Sequence, residues 1–127
     1  MHEFSLVITP IPKPRQTQRD KWMKRPCVMR YRQYKDDLKA AGIKPNPDGF
    51  EITFKLPMPQ SWSKKKKAAM DTQPHQQKPD IDNLLKGFMD ALFEDDSGIH
   101  WVKANKIWGK TGGIKVVGVQ YDDSSDF

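Results

Sequence analysis

The stretch "KPDIDNLLKGFMDALFEDD" concentrates carboxylates in a chain whose formal net charge is +6. Within it, Asp80 and Asp82 lie two positions apart directly after Pro79, and Lys86 follows four residues after Asp82. In an extended segment residues i and i+2 point to one side, so Asp80 and Asp82 are predicted to converge on one ion. Asp96 is expected to supply a third oxygen ligand if the strand that follows it lies beside the start of the helix.

These four side chains are suited to phosphodiester chemistry. Hard divalent cations such as Mg²⁺ prefer oxygen ligands and usually keep several waters, which fits a few carboxylates in an open site. A metal ion held there would lower the pKa of a bound water and polarise a phosphoryl oxygen. Lys86, one helical turn from Asp82, would support the anionic transition state.

Each part of this pattern also has an ordinary structural interpretation. Asp82, Lys86 and Asp90 are spaced by four and would form solvated salt bridges along one side of a helix. Asp95 and Asp96 would form an acidic turn. The combination of these features within a basic chain favours a functional site over several unrelated surface features.

The positive charge of the chain favours a polyanionic partner. Lysine and arginine number 22 against 16 acidic residues, and the sequence pI is about 9.4. Such charge contributes to binding through phosphate contacts and the release of counterions, so nucleic acid is the leading candidate. The basic residues expected to contact DNA are Arg15, Arg19, Lys21 and Lys24 in one loop, and Lys64, Lys65, Lys66 and Lys67 in a second.

Cysteine content and hydropathy indicate a reducing compartment. Cys27 is the only cysteine, which excludes an internal disulfide and a cysteine zinc cluster. The amino terminus carries an acid and alternates like a strand, and no apolar run approaches the length of a membrane span. We therefore expect a cytoplasmic protein with neither a signal peptide nor a membrane helix.

The elements that must position these residues are predicted to form one α+β domain over residues 1–127. Alternation at Phe4, Leu6 and Ile8 predicts a first strand. Apolar and aromatic positions recur every three to four residues from 28 to 41, which predicts a helix that Gly42 ends. The alternating segment "FEITFKLPMP" predicts a second strand, after which "QSWSKKKKAAMDTQPHQQK" lacks clear periodicity. We interpret that stretch as a functional or mobile loop, although "SKKKKAAM" is compatible with a short helix.

The acidic stretch itself is predicted to form the second main helix. Its apolar stripe comprises Leu85, Phe88, Met89, Leu92 and Phe93. Asp82 or Asn83 is expected to cap its start, and the helix should end near Glu94. Beyond it, "IHWVKANKIWG" and "IKVVGVQY" are predicted to form a hairpin around the turn "KTGG". The whole order is β-α-β, a long loop, then α-β-β, which gives a mixed sheet packed by two main helices.

With these residues in view, the chain resembles the RusA-type Holliday junction resolvases, also described as crossover junction endodeoxyribonucleases. The family pattern is an Asp-x-Asp-Asn-Leu-x-Lys segment, a helix with Asp-Ala-Leu and a later Asp-Asp pair, all present in "KPDIDNLLKGFMDALFEDD". The resemblance implies that Asp80, Asp82 and Asp96 bind the metal and that Lys86 is the essential lysine. The spacer between Asp90 and the acidic pair is short, which leaves Asp95 as an alternative to Asp96.

The resemblance further implies a Mg²⁺-dependent homodimer with a mixed fold. We expect that Mn²⁺ can substitute for Mg²⁺. Such a protein binds four-way DNA junctions and nicks two opposed strands symmetrically, in DNA recombination and repair. Two identical sites related by a dimer axis suit a two-fold junction. The lysine run lies well upstream of Asp80, unlike the basic residues in the family pattern, so junction preference is not carried over.

Two other functions are consistent with the same residues. The first is a non-catalytic nucleic-acid-binding protein, in which the acids are structural and Trp22 and Trp62 stack on bases. The second is a less selective metal-dependent nuclease that acts on flaps or single strands. Cleavage and its dependence on DNA form separate these alternatives from a junction resolvase.

Overall fold

The structure, a computed structural model, describes residues 2–14 and 26–119 of the 127-residue chain. Within those residues the order of strands and helices confirms the predicted α+β class, and a short helix forms across the lysine run. None of the helices in this part of the chain has the length and apolar character needed to span a bilayer. The elements are β1 (His2–Leu6), α1 (Pro26–Ala40), β2 (Gly49–Pro57), α2 (Lys64–Met70), α3 (Ile81–Leu92), β3 (Trp101–Gly109) and β4 (Gly113–Val119).

The strands form one mixed sheet in the order β1-β4-β2-β3. β4 is antiparallel to both β1 and β2, whereas β2 is parallel to β3. The predicted hairpin of β3 and β4 is therefore wrong, because β2 lies between these two strands. Gly109 pairs with Pro57 and Gly113 with Lys55, so residues 110–112 cross the end of β2. Two strand spacings amount to about 10 Å, a distance that three residues and their peptide bonds can span.

The core lies between one face of the sheet and helices α1 and α3. Alternate residues of β2 point into it, and Phe50, Ile52 and Phe54 are at most 2% exposed. Phe88 of α3 packs against Phe50 and Phe54, with ring centroids 5.7 and 6.5 Å apart. These aromatic contacts hold the carboxylate-bearing helix against the centre of the sheet, and the burial of large rings there contributes to stability.

The buried face of α3 differs from the predicted apolar stripe. Leu84, Phe88 and Ala91 are buried, whereas the predicted Leu85 and Met89 are only partly buried. Leu84 and Leu85 are adjacent leucines in a helix that is apolar at many positions, so periodicity alone does not decide which of them faces the core. Packing against the sheet selects Leu84, which is fully buried.

The segment between α2 and α3 is bound to the edge of β3. The Trp108 N–H donates to the carbonyl of Gln73 at 2.9 Å, and the His75 N–H donates to the carbonyl of Lys106 at 3.0 Å. The Thr72 N–H likewise donates to the Trp108 carbonyl at 2.9 Å. These backbone hydrogen bonds anchor the residues that lead into α3, in a stretch whose lack of sequence periodicity predicts a functional or mobile loop.

Candidate active site

Asp80 and Asp82 both lie at the start of α3. Asp80 is the N-cap residue in extended backbone geometry, with φ of -70° and ψ of 145°, and its side chain makes no capping hydrogen bond. The predicted capping by Asp82 or Asn83 is therefore wrong, because the helix begins earlier, at Ile81. Asp82 belongs to the first helical turn, so Asp80 and Asp82 are not at positions i and i+2 of one extended segment, contrary to what the sequence pattern predicts. Both carboxylates are exposed and lie at the positive end of the helix dipole.

Lys86 and Asp90 follow on α3 but do not form the salt-bridge row that their spacing allows. Lys86 is exposed, and among the described residues no carboxylate forms an ion pair with its ammonium group. Asp90 instead pairs with Lys13, from the segment after β1, and each of these two side chains is 33% exposed. The Lys86 ammonium group is thus available to an anionic substrate beside Asp82.

The segment after β1 crosses α3 closely at Gly87. A Cβ atom at Gly87 would lie 3.0 Å from the amide nitrogen of Lys13 and 3.1 Å from the carbonyl oxygen of Ile11. The backbone of Lys13 also donates a 3.2 Å hydrogen bond to the carbonyl of Asn83. Gly87 therefore permits a contact that fixes the first turns of α3, and nothing in the sequence motif distinguishes it from an ordinary helical glycine.

Asp95 and Asp96 are both exposed but differ in their hydrogen bonding. Asp95 Oδ1 accepts a 2.9 Å hydrogen bond from the Ser97 amide. Hydrogen bonds from the backbone and then the side chain of Ser97 lower the pKa of Asp95, so its carboxylate is committed to the turn. Asp96 accepts from the Ile99 amide through its backbone carbonyl at 3.0 Å, and its carboxylate has no hydrogen bond within the described residues.

A complete metal-binding cluster is not assembled by the described residues. Across residues 2–14 and 26–119, no group of three His, Cys, Asp or Glu side chains is placed so that it could hold a metal ion. The donor chemistry nevertheless fits a hard cation, because no donor among the described residues binds the carboxylate oxygens of Asp80 or Asp96. Asp82 Oδ1 accepts a 3.0 Å hydrogen bond from the Asn83 amide, and within residues 2–14 and 26–119 its Oδ2 has no donor.

Lys106 and His75 hold the chain segment that precedes Asp80. Neither residue is among the site residues predicted from the sequence. Lys106 Nζ donates to the carbonyl of Gln77 and, at 2.7 Å, to that of Pro79. The His75 ring is 5% exposed, and its centroid lies 4.2 Å from that of Trp108. Burial, followed by the charge of Lys106, lowers the pKa of His75. One signal was available: in "WVKANKIWG" Lys106 alternates with Ala104 and Trp108 on the inner face of the strand.

The lysine run forms the exposed helix α2 beside a groove. Ser63 Oγ caps the helix by accepting the Lys66 amide at 3.1 Å, and Lys66 Nζ lies 4.2 Å from the centroid of the Trp62 ring. Lys64 and Lys67 line a cavity of about 370 Å³ together with Met58, Ala68 and Lys110. The other predicted DNA contacts, Arg15, Arg19, Lys21 and Lys24, lie outside the described residues, as does Trp22.

Comparison with known families adds an independent observation. The family described as Endodeoxyribonuclease RusA matches residues 7–117. This chain belongs to the RusA family of endodeoxyribonucleases. The match includes all the acids of the candidate site and Lys86, and RusA membership makes the protein a nuclease whose partner is DNA. No curated protein matches the sequence.

Proposed function

We propose that this RusA-family protein is a Mg²⁺-dependent endonuclease that resolves four-way DNA junctions by paired, symmetric nicks, in recombination and repair. The observation that carries the proposal is the exposed start of α3 in a chain of this family, where Asp80 and Asp82 precede Lys86, which pairs with no carboxylate in the described part of the chain. The reaction needs oxygen ligands and a cation near a phosphate, and this short segment supplies both. Mn²⁺ is the expected substitute metal.

Asp80, Asp82 and Asp96 would hold the metal ion. When bound, a divalent cation supplies Lewis acidity and lowers the pKa of a ligated water. Lys86 then binds a non-bridging phosphate oxygen and stabilises the negative charge of the transition state. Asp80 and Asp82 lie at the start of a helix, so their carboxylates are at the positive end of its dipole.

Asp96 is proposed over Asp95 as the third acid because the Asp95 carboxylate is engaged by Ser97. Asp96→Asn should reduce cleavage by at least about tenfold, as expected for loss of a metal ligand or its close support. Asp95→Asn is the matched control and should retain most of the activity. A larger loss in Asp95→Asn than in Asp96→Asn would reverse the assignment.

The proposed assembly is a homodimer, and the proposed compartment is the cytoplasm. A two-fold axis relates two identical sites, which suits the two opposed strands of a junction that are cut symmetrically. The basic residues proposed to follow the DNA backbone are Arg15, Arg19, Lys21, Lys24, Lys64, Lys65, Lys66 and Lys67. The lone Cys27 suits a reducing compartment.

A substrate comparison tests the proposed function. Labelled four-way junction, flap and linear duplex DNA of the same sequence are incubated with the protein and Mg²⁺ at one salt concentration, since binding depends on salt. The proposal predicts paired nicks in the junction and little cutting of the other two forms. Equal cutting of flaps would favour the less selective nuclease, and binding without cleavage of any form would favour the non-catalytic binding protein.

A further inference from the structure

One ammonium group holds the backbone that leads directly into the candidate site. Lys106 Nζ donates hydrogen bonds to the carbonyls of Gln77 and Pro79, and Pro79 is the residue before Asp80. Hydrogen bonds with a charged donor are stronger than those between neutral groups. Because Lys106 lies within β3, its position is set by the central sheet rather than by the segment it binds.

The charge of Lys106 is otherwise unexplained. Lys106 is partly buried and lies on the same face of β3 as Ala104 and Trp108. Apolar side chains are the usual occupants of such a position. Among the described residues no carboxylate pairs with it, so the two backbone carbonyls are the groups that satisfy its ammonium. A cation retained on the inner face of a strand to bind a loop backbone indicates a role in fixing that loop.

The same segment is also anchored upstream. The His75 amide donates to the Lys106 carbonyl at 3.0 Å, and the His75 ring packs on Trp108. Residues 73–75 are therefore held to β3 by the backbone, whereas residues 77–79 are held by the Lys106 side chain. The side-chain hydrogen bonds are thus the last support before Asp80, whose own carboxylate does not cap the helix.

We propose that Lys106 is a positioning residue for the nuclease reaction, which acts by fixing the backbone that carries Asp80. The proposal rests on the proposed function and deepens it. A metal-binding carboxylate must be held within a fraction of an ångström of its productive position. Mutation of the groups that orient such ligands commonly lowers metal affinity or activity by about 10 to 100-fold. Lys106 would supply that orientation without contacting substrate or metal.

Three variants test the proposal. Lys106→Met keeps the length of the side chain but removes its donors, and Lys106→Arg restores them. Lys103→Met is the matched control, since Lys103 lies on the same strand with its side chain 73% exposed and 3.6 Å from a carboxylate oxygen of Glu51. For each protein we would measure the single-turnover junction cleavage rate against Mg²⁺ concentration, the junction Kd in EDTA, the Tm and hydrogen exchange of individual amides.

Lys106→Met should cleave about 10 to 100-fold more slowly or need correspondingly more Mg²⁺. Its junction Kd should stay within about twofold, and faster exchange should be confined to residues 76–82, because only this segment loses its support. Lys106→Arg should recover most of the rate, and Lys103→Met should match the wild type.

Cleavage by Lys106→Met at the wild-type rate and Mg²⁺ requirement would overturn the proposal. So would a loss that Lys106→Arg does not rescue and that accompanies faster exchange throughout the sheet, since Lys106 would then act on stability in general. If the wild type cleaves no junction, the proposed function fails. In that case exchange at residues 76–82 in Lys106→Met against Lys103→Met still decides whether Lys106 fixes this backbone.

Discussion

The Tyr31 hydroxyl donates a 2.8 Å hydrogen bond to the carbonyl oxygen of Gly87, and so joins α1 to the middle of α3. This contact lies one residue beyond Lys86. Burial, and then the charge of Asp90, raise the pKa of Tyr31 to about 12, so the hydroxyl remains a donor at neutral pH. The position of α3, and with it the candidate site, therefore depends in part on a tyrosine far away in the sequence.

Replacement of Tyr31 by phenylalanine should lower the free energy of unfolding by about 1 kcal/mol, because a buried hydrogen bond is lost with little change in shape. Tyr34→Phe is the matched control. The Tyr34 hydroxyl is buried near the backbone of Ile11 but has no hydrogen-bond partner within the described residues, so its removal should be neutral or stabilising. Urea unfolding measures both variants, and an equal loss of stability in the two would contradict the assigned role of Tyr31.

Much of the fold follows from sequence patterns that act over short distances. The alternation in β2 and the end of α1 at Gly42, which has φ of +75°, reflect local backbone and burial preferences. The position of β3 does not follow in this way. The turn signal "KTGG" shows that the chain reverses, but it does not show that β2 lies between β3 and β4, because that depends on pairing between distant residues.

His75 should make the stability of the protein depend on pH below neutrality. Burial and the charge of Lys106 lower its pKa in the folded state, whereas the unfolded chain takes up a proton near pH 6.5. Stability from this group is therefore complete above pH 6.5 and is lost as the pH falls, with a slope of at most about 1.4 kcal/mol per pH unit.

Urea unfolding between about pH 7.5 and 5.5 measures this effect, in a range above the ordinary carboxylate titrations. His75→Gln should flatten the dependence, although its stability at pH 7.5 will be lower. The exposed His100 provides the control, because His100→Gln should leave the wild-type dependence in place. A His75→Gln profile as steep as that of the wild type would rule out His75 as the source.

Lys64 and Lys67, which line the groove beside α2, should contribute to the salt dependence of DNA binding. Lys64→Ala combined with Lys67→Ala should weaken junction binding and reduce the slope of log K against log salt by about 0.9 for each lysine that contacts a phosphate. A charge-matched control is Lys103→Ala with Lys115→Ala. These two lysines lie on the sheet face opposite the helices and pair with Glu51 and Glu3 at 3.6 and 3.2 Å. An unchanged slope in the Lys64 and Lys67 variant would place the DNA path elsewhere.

The candidate site was predictable in its residue types but not in its support. The spacing of Asp80, Asp82 and Lys86 is local, and a family motif carries it. By contrast, Lys106 contacts the backbone of Pro79 and Gln77, which lie 27 and 29 residues before it in the sequence. The predicted start of α3 also lies later than the observed start at Ile81. An aspartate can serve either as an N-cap or as a first-turn residue, and the sequence pattern is compatible with both.

The central claim is that the acids at the start of α3 carry out metal-dependent cleavage of DNA. The most direct measurement is single-turnover nicking of a four-way junction in Mg²⁺ by the wild type, by Asp82→Asn and by Asp37→Asn. Asp37 is an exposed α1 carboxylate that accepts a hydrogen bond from Gln33, so its variant is the control. We predict paired nicks by the wild type and by Asp37→Asn, and a rate at least about 100-fold lower for Asp82→Asn with junction binding retained. Nicking by Asp82→Asn at the wild-type rate would contradict the claim.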